Sequence, residues 1–256
     1  MENINIVQTM LVHREGDLLD ESIPSNIKFC NKVLILLDNF DEYTEKKVLF
    51  YKEKYPNKIV VKYSNIESLE GEMDVLNKRF KKIQGFLRDS LLAMARREDE
   101  KEKIDILTMF DADEVIRSNI REKIDFLLKS DFSSLMYSRC IDAVGDYYHF
   151  TVRNIHSHCR IFKYNRALTS LPERGRLILR PLFKKDLFKC KYLFIHLPYF
   201  NLKKIYERST YKTKDRAGKN LWKTEKDIRS LSDKEITRTI RREPLCLLSE
   251  YIKKNI

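Results

Sequence analysis

The chain is poor in the residues that punctuate or staple a protein. Its 256 residues include 6 glycines, 6 prolines and a single tryptophan. That scarcity argues against collagen-like, linker-rich and disordered classes. The five cysteines (Cys30, Cys140, Cys159, Cys190, Cys246) are scattered, without a CxxC pair or zinc-ribbon spacing. Such spacing supports neither a disulfide framework nor a structural zinc site, and reduced, buried thiols are expected. His156-Ser157-His158-Cys159 clusters soft ligands, but no second ligand pair stands at zinc spacing, so it reads as a loop and strand start. The longest aliphatic run is Val33–Leu37, whereas a spanning helix takes about 20 apolar residues. The amino terminus, MENINIVQTMLVHRE, opens with an acid and lacks a basic stretch, so no signal peptide is expected. The expectation is a cytoplasmic chain without a transmembrane segment.

Charge, by contrast, is abundant and unevenly spread. Charged residues make up 34% of the chain and its net charge is +12. Residues 1–120 hold 19 Lys/Arg against 23 Asp/Glu, whereas residues 121–256 hold 31 against 15. A basic half joined to a mildly acidic one points to a polyanionic partner: nucleic acid, an anionic membrane surface or a phosphorylated glycan. The plainer reading is a lysine-rich surface that only confers solubility. Clustering of Lys203, Lys204, Arg208, Lys212, Lys214, Arg216 and Lys219 weighs against that.

Hydrophobic periodicity predicts an alternating βα chain. Strands are expected at Ile4–Val12, Lys32–Asp38, Lys58–Tyr63 and Ile104–Phe110. Helices are expected at Glu15–Ile23, Thr44–Tyr55 (stopping at Pro56) and Leu76–Arg97. Three strands separated by helices indicate an α/β fold with a mostly parallel, Rossmann-like sheet flanked by helices. After residue 120 the pattern changes to a helix at Ile120–Lys129 and short strands near Ser134–Ser138, Tyr147–Val152, Cys159–Tyr164 and Tyr192–His196. A basic helical tail is expected from about Leu202 onward.

Ligands of open α/β sheets bind beyond the carboxyl ends of the strands. Two predicted strands end there in acids: one delivers Asp38 and Asp41, the other Asp111, Asp113 and Glu114. Asp111 and Asp113, either side of Ala112, are spaced to reach one divalent ion. Hard oxygen ligands suit Mg²⁺ or Mn²⁺, which keeps several waters and also takes substrate phosphates. Such an ion neutralises a diphosphate leaving group. A solvated acidic turn is the alternative.

These segments resemble the family 2 glycosyltransferases of GT-A fold. The likeness rests on Val12-His13-Arg14-Glu15, Leu37-Asp38-Asn39-Phe40-Asp41-Glu42-Tyr43-Thr44, Gln84-Gly85-Phe86-Leu87-Arg88-Asp89 and Phe110-Asp111-Ala112-Asp113-Glu114, in that order. It covers roughly residues 4–165, plus one later histidine segment. The resemblance implies a nucleotide-sugar donor, with a UDP-sugar as the first expectation, Asp38 at the base and Arg88 holding the diphosphate or ordering the site. Asp41 and Ala112 would lie along the donor, and Asp111 and Asp113 at the metal. His196, closing Tyr192-Leu193-Phe194-Ile195-His196, would complete the metal site or touch the diphosphate; a hydrogen-bonded structural histidine is the alternative. Arg160, in Arg160-Ile161-Phe162-Lys163, would lie beside the acceptor channel or form an ion pair. Phe40 and Asp89 depart from the family pattern, which has Ser and Asn there. No clean copy of the family's general-base pair is present, and Glu173, Asp142 and Asp146 are the available carboxylates. An inverting transfer needs such a base within hydrogen-bond reach of the acceptor hydroxyl.

The resemblance thus implies a GT-A catalytic domain over 1–200, with a nucleotide-sugar part at 1–120 and an acceptor part at 121–200. A basic, helical extension would occupy 201–256. The expected activity is metal-dependent transfer of a sugar to an acceptor hydroxyl. The acceptor would be a surface glycan or lipid-linked sugar met at the inner membrane surface, or a hydroxymethylated base in phage DNA within the host cytoplasm. Tyr199, Phe200, Tyr206, Tyr211 and Trp222 interleave with the basic cluster and suit stacking on bases, or equally a helix core. The rival is a non-catalytic nucleic-acid-binding protein on a degenerate transferase scaffold.

Overall fold

In the computed structural model, the described residues are 4–64, 73–116, 120–144, 146–171, 176–179, 187–190, 193–199 and 246–247. The elements run β1 (Ile6–Val12), α1 (Leu19–Ile27), β2 (Lys32–Leu37), α2 (Glu42–Lys54), β3 (Ile59–Tyr63), α3 (Met73–Lys101), β4 (Ile106–Met109) and β5 (Glu114–Ile116). They continue with α4 (Ile120–Lys129), β6 (Ser134–Val144), β7 (Asp146–Lys163), β8 (Leu168–Leu171), β9 (Arg176–Leu179), β10 (Leu187–Cys190), β11 (Phe194–Tyr199) and β12 (Cys246–Leu247). The contacts divide the chain into two compact units, residues 1–137 with 157–190, and residues 138–156 with 191–256.

The first unit is the expected α/β layer. Its sheet runs in the order β3-β2-β1-β4-β7, with the first four strands parallel and β7 antiparallel to β4. Parallel strands buried on both faces read as unbroken apolar runs, and every residue of β1 is buried. On one face Val7, Leu11, Leu34 and Leu36 pack with Leu87, Leu91, Leu92 and Ala95 of α3. Alternation sends Ile6, Met10, Val33 and Ile35, each at most 1% exposed, to the other face. Each such side chain contributes roughly 1.5–3 kcal/mol of transfer free energy. The chain passes between neighbouring parallel strands through helices, α1 from β1 to β2 and α2 from β2 to β3. Also in this unit, β8 and β9 form a hairpin through Leu168 and Leu179, and β10 lies parallel to the start of β6.

Within the second unit β11 runs parallel to β6, and β12 pairs antiparallel with β7 at Cys246 and Phe150. Most of the expected helical tail lies outside the described residues; Cys246–Leu247, within it, form a strand. No helix among the described residues is long and apolar enough to cross a membrane.

Several boundaries differ from expectation. Helix α1 begins at Leu19, not Glu15, and carries Pro24 inside it. Strand β7 is continuous over eighteen positions, Asp146–Lys163, where two short strands were expected.

Candidate functional site

The site begins at the carboxyl tips of β2, β1 and β4, which lie side by side. Val12 is the register partner of Leu37, and Thr9 of Met109. The residues that follow, His13, Asp38 and the turn after Phe110, therefore emerge along one edge of the sheet. Neighbouring strands are about 4.8 Å apart, so β2 and β4 are separated only by the width of β1.

At the β4 tip the chain turns immediately. The Glu114 amide donates to the Asp111 carbonyl at 3.0 Å, and the Asp111 amide donates to Glu114 Oε2 at 2.9 Å. Ala112 is buried within this turn and Asp113 is 9% exposed. Two arginines from distant segments close on it. Arg88 of α3 donates Nη2–H to Asp111 Oδ1 at 2.5 Å. Arg160 of β7 donates to Asp111 Oδ2 at 3.0 Å and to Glu114 Oε1 at 2.6 Å. Arg88, Arg160 and Glu114 are all buried, whereas the Asp111 side chain keeps 26% of its surface open. Burial pushes the Asp111 carboxyl up, but the guanidiniums of Arg88 and Arg160 outweigh it and the repulsion from Asp113, holding it below its ordinary value.

At the β1 and β2 tips, His13 Nδ1 lies 2.9 Å from the Asp38 carbonyl and 3.3 Å from its carboxylate. Asp38 is 6% exposed. Arg14 donates to the carbonyl and side-chain oxygen of Asn39, which sits at φ 44°. Asparagine is among the residues that tolerate this left-handed conformation. Asp41 caps α2, its Oδ1 accepting the Thr44 amide at 2.8 Å. That bond satisfies one of the orphan donors of the helix start.

Not all the candidate residues fall in this unit. Asp142, Asp146 and His196 belong to the second. There Asp142 and His196 are register partners on β6 and β11, and the half-buried His196 ring stands edge-on to Phe194. Glu173 lies outside the described residues. Arg160 is the residue whose place sequence left open, and it forms a buried ion pair. The tie between His13 and Asp38 had no signature beyond the position of both after an apolar run.

The donor set fits a hard, hydrated cation. Among the described residues no three His, Cys, Asp or Glu form a metal-binding group. A Mg²⁺-type ion is commonly held by one or two carboxylates with waters and substrate phosphates completing its shell. Each carboxylate oxygen has two acceptor positions, so one guanidinium bond per oxygen leaves Asp111 capacity on its open side. Asp113 adds a second carboxylate, buried beside Asp111.

No protein-family model matches the sequence, and no curated protein matches it. Among solved structures the chain is similar to S. aureus TarS 1–349, at 12% identity and TM-score 0.42, covering 80% of this chain and 64% of that one. A second S. aureus TarS structure matches at 12% identity and TM-score 0.42, covering 93% of this chain and 43% of that one. A putative glucose-1-phosphate thymidylyltransferase from Bacillus anthracis, in complex with a sucrose, matches at 9% identity and TM-score 0.34, covering 74% and 87%. The chain spans less than two thirds of the length of either TarS structure.

Proposed function

We propose that this protein is a metal-dependent glycosyltransferase that uses a nucleotide-sugar, with UDP-sugars as the first donors to test. The observation that carries the reading is the Asp111–Glu114 turn at a parallel-strand tip, locked by Arg88 and Arg160, with Asp38 two strands away on the same edge. Asp38 takes the base side of the donor, and Asp41 and Ala112 lie along its path. Asp111 and Asp113 hold Mn²⁺ or Mg²⁺, with His196 a further candidate ligand. The ion supplies positive charge to the leaving diphosphate, an effect worth several kcal/mol. Arg88 acts through Asp111: its bond to that carboxylate orders the site.

In the transfer the bond between the anomeric carbon and the diphosphate oxygen breaks, and a bond to the acceptor oxygen forms. The nucleoside diphosphate leaves, and the acceptor hydroxyl proton passes to a carboxylate. Glu173, Asp142 and Asp146 are the candidates for that base, and inversion is the proposed outcome. Residues 1–120 serve the donor and 121–200 the acceptor, with 201–256 as an extension. The basic character of residues 121–256 favours a polyanionic acceptor, either a glycan or lipid-linked sugar at a membrane surface or a hydroxymethylated base in DNA.

The test is release of UDP from a panel of UDP-sugars with Mn²⁺ and candidate acceptors. Donor turnover lost in Asp113→Ala supports the assignment. Tight, salt-sensitive DNA binding without turnover of any nucleotide-sugar replaces it with the nucleic-acid-binding alternative.

A further inference from the structure

His13 sits one residue beyond β1 and Asp38 one residue beyond β2, and the register of Val12 with Leu37 sets them side by side. A carbonyl oxygen only accepts, so the 2.9 Å contact with the Asp38 carbonyl puts the proton on Nδ1. The Asp38 carboxylate lies 3.3 Å from the same nitrogen. These two contacts fix the plane of the imidazole and leave Nε2 as its variable edge. No partner of Nε2 is found among the described residues, and the side chain is 31% exposed. Nε2 accepts in the neutral ring and donates in the imidazolium.

The charged groups around this ring are Asp38 from the β2 tip, with Glu15 and Arg14 from its own loop. Glu15 Oε2 accepts the His13 amide at 2.7 Å. The Arg14 guanidinium donates to the carbonyl and side-chain oxygen of Asn39. The Asp38 and Glu15 carboxylates both favour the charged ring, and its protonation adds a donor on the side left for the nucleobase.

We propose that His13 is a specificity-determining residue that donates Nε2–H to a nucleobase carbonyl when protonated, so that nucleotide-sugar affinity is coupled to pH. The inference rests on the reading of this sheet edge as a nucleotide-sugar site. It selects for a base with a carbonyl edge, such as uracil, over adenine, which has none. Burial opposes protonation of His13, but the hydrogen bond to Asp38 and the field of Glu15 outweigh it and raise the pKa above its usual 6.5. The switch therefore lies above the ordinary imidazole value.

The experiment is calorimetric titration of the full chain, with Mg²⁺, by UDP-glucose and ADP-glucose between about pH 5.5 and about pH 8.5. Neither sugar diphosphate titrates in that range, so a slope belongs to the protein. Affinity for UDP-glucose should fall about fivefold or more across it. His13→Asn keeps an amide donor for the Asp38 carbonyl but has no titrating edge, and its profile should be flat. In the unmodified protein, saturation with UDP-glucose should raise the midpoint of the His13 ring-proton NMR titration, as reciprocity of linkage demands. A wild-type slope retained in His13→Asn, or an unmoved His13 midpoint, overturns the inference and leaves the transferase reading intact. Failure of the wild type to bind any of the UDP-, GDP-, CMP- or ADP-sugars at every pH overturns both.

Discussion

Arg160 and Glu114 pair over 2.6 Å with side chains only 11% and 3% exposed. The same guanidinium nitrogen reaches Asp111 at 3.0 Å, so strand β7 is tied directly to the acidic turn. Removing one partner of a buried pair strands the other charge away from water. Arg160→Met should therefore destabilise the protein by about 3 kcal/mol in urea denaturation. The double variant Arg160→Met/Glu114→Leu should recover part of that loss, because it leaves no unpaired carboxylate. Additive losses in the two single variants would show that the pair is not coupled.

The two aspartates of the turn should separate by phenotype. Asp111 neutralises two buried arginines, so Asp111→Ala should lower both stability and donor turnover. Asp113 is buried beside Asp111 and repels its carboxylate, so its removal also relieves a like-charge contact. Asp113→Ala should lower turnover by about 100-fold or more while lowering the denaturation midpoint less than Asp111→Ala does. Parallel assays of UDP release and urea unfolding check this. Equal loss of stability in both variants would place Asp113 within the structural network.

Gly16 marks where the loop after β1 presses on α2. A Cβ there would lie 2.7 Å from Tyr43 Cδ1 and 2.9 Å from the Thr44 Cα. The Gly16 amide also donates to Thr44 Oγ1 at 3.1 Å. Because one clash is with backbone, relief requires moving the first turn of α2, which begins beside the Asp38 loop. Gly16→Ala should destabilise by about 1–3 kcal/mol and weaken UDP-sugar binding as well. Asp41→Ala, which removes the cap on the Thr44 amide, should cost about 1 kcal/mol or more by the same measurement.

The elements that could be read in advance are those with a strong local signal. Val33–Leu37 is apolar at every position, and α3 repeats Leu87, Leu91 and Met94 at helical spacing. Acids that follow apolar strand ends place Asp38 and Asp111 at the carboxyl end of the sheet. Local patterns carried less elsewhere. Helix α1 has no side-chain cap at Leu18 and contains Pro24, so its start has no signature. The polar stretch Asn154-Ile155-His156-Ser157-His158 divides an apolar pattern, although β7 runs through it unbroken. Strand β5 is three residues long, too short for alternation to show. The contacts that hold the site are longer in range still. Arg88 and Asp111 are 23 positions apart, and Arg160 and Asp111 are 49 apart. Which arginine meets which carboxylate depends on the crossing of α3 and the register of β7 on β4, and neither leaves a trace in the neighbouring residues.

The last prediction concerns acid stability. Glu98 is 5% exposed and bridges Lys32 of β2 at 2.5 Å and Lys101 at 2.8 Å. Burial raises its pKa, but the bonds from Lys101 and Lys32 lower it more, leaving it below its ordinary 4.5. Between the two values the unfolded chain binds more protons than the folded one, so stability rises with pH there. The contribution is complete above the unfolded value of 4.5 and disappears as pH falls through the folded value. The difference in unfolding free energy between wild type and Glu98→Gln should therefore be largest near neutral pH and shrink below about pH 4.5. Other carboxylates titrate in both proteins and cancel in that difference. Lys32 keeps 26% of its side chain exposed, so water solvates it in the variant. Urea melts of both proteins at neutral and acidic pH decide the point, and a difference that stays constant with pH would remove Glu98 from the acid response.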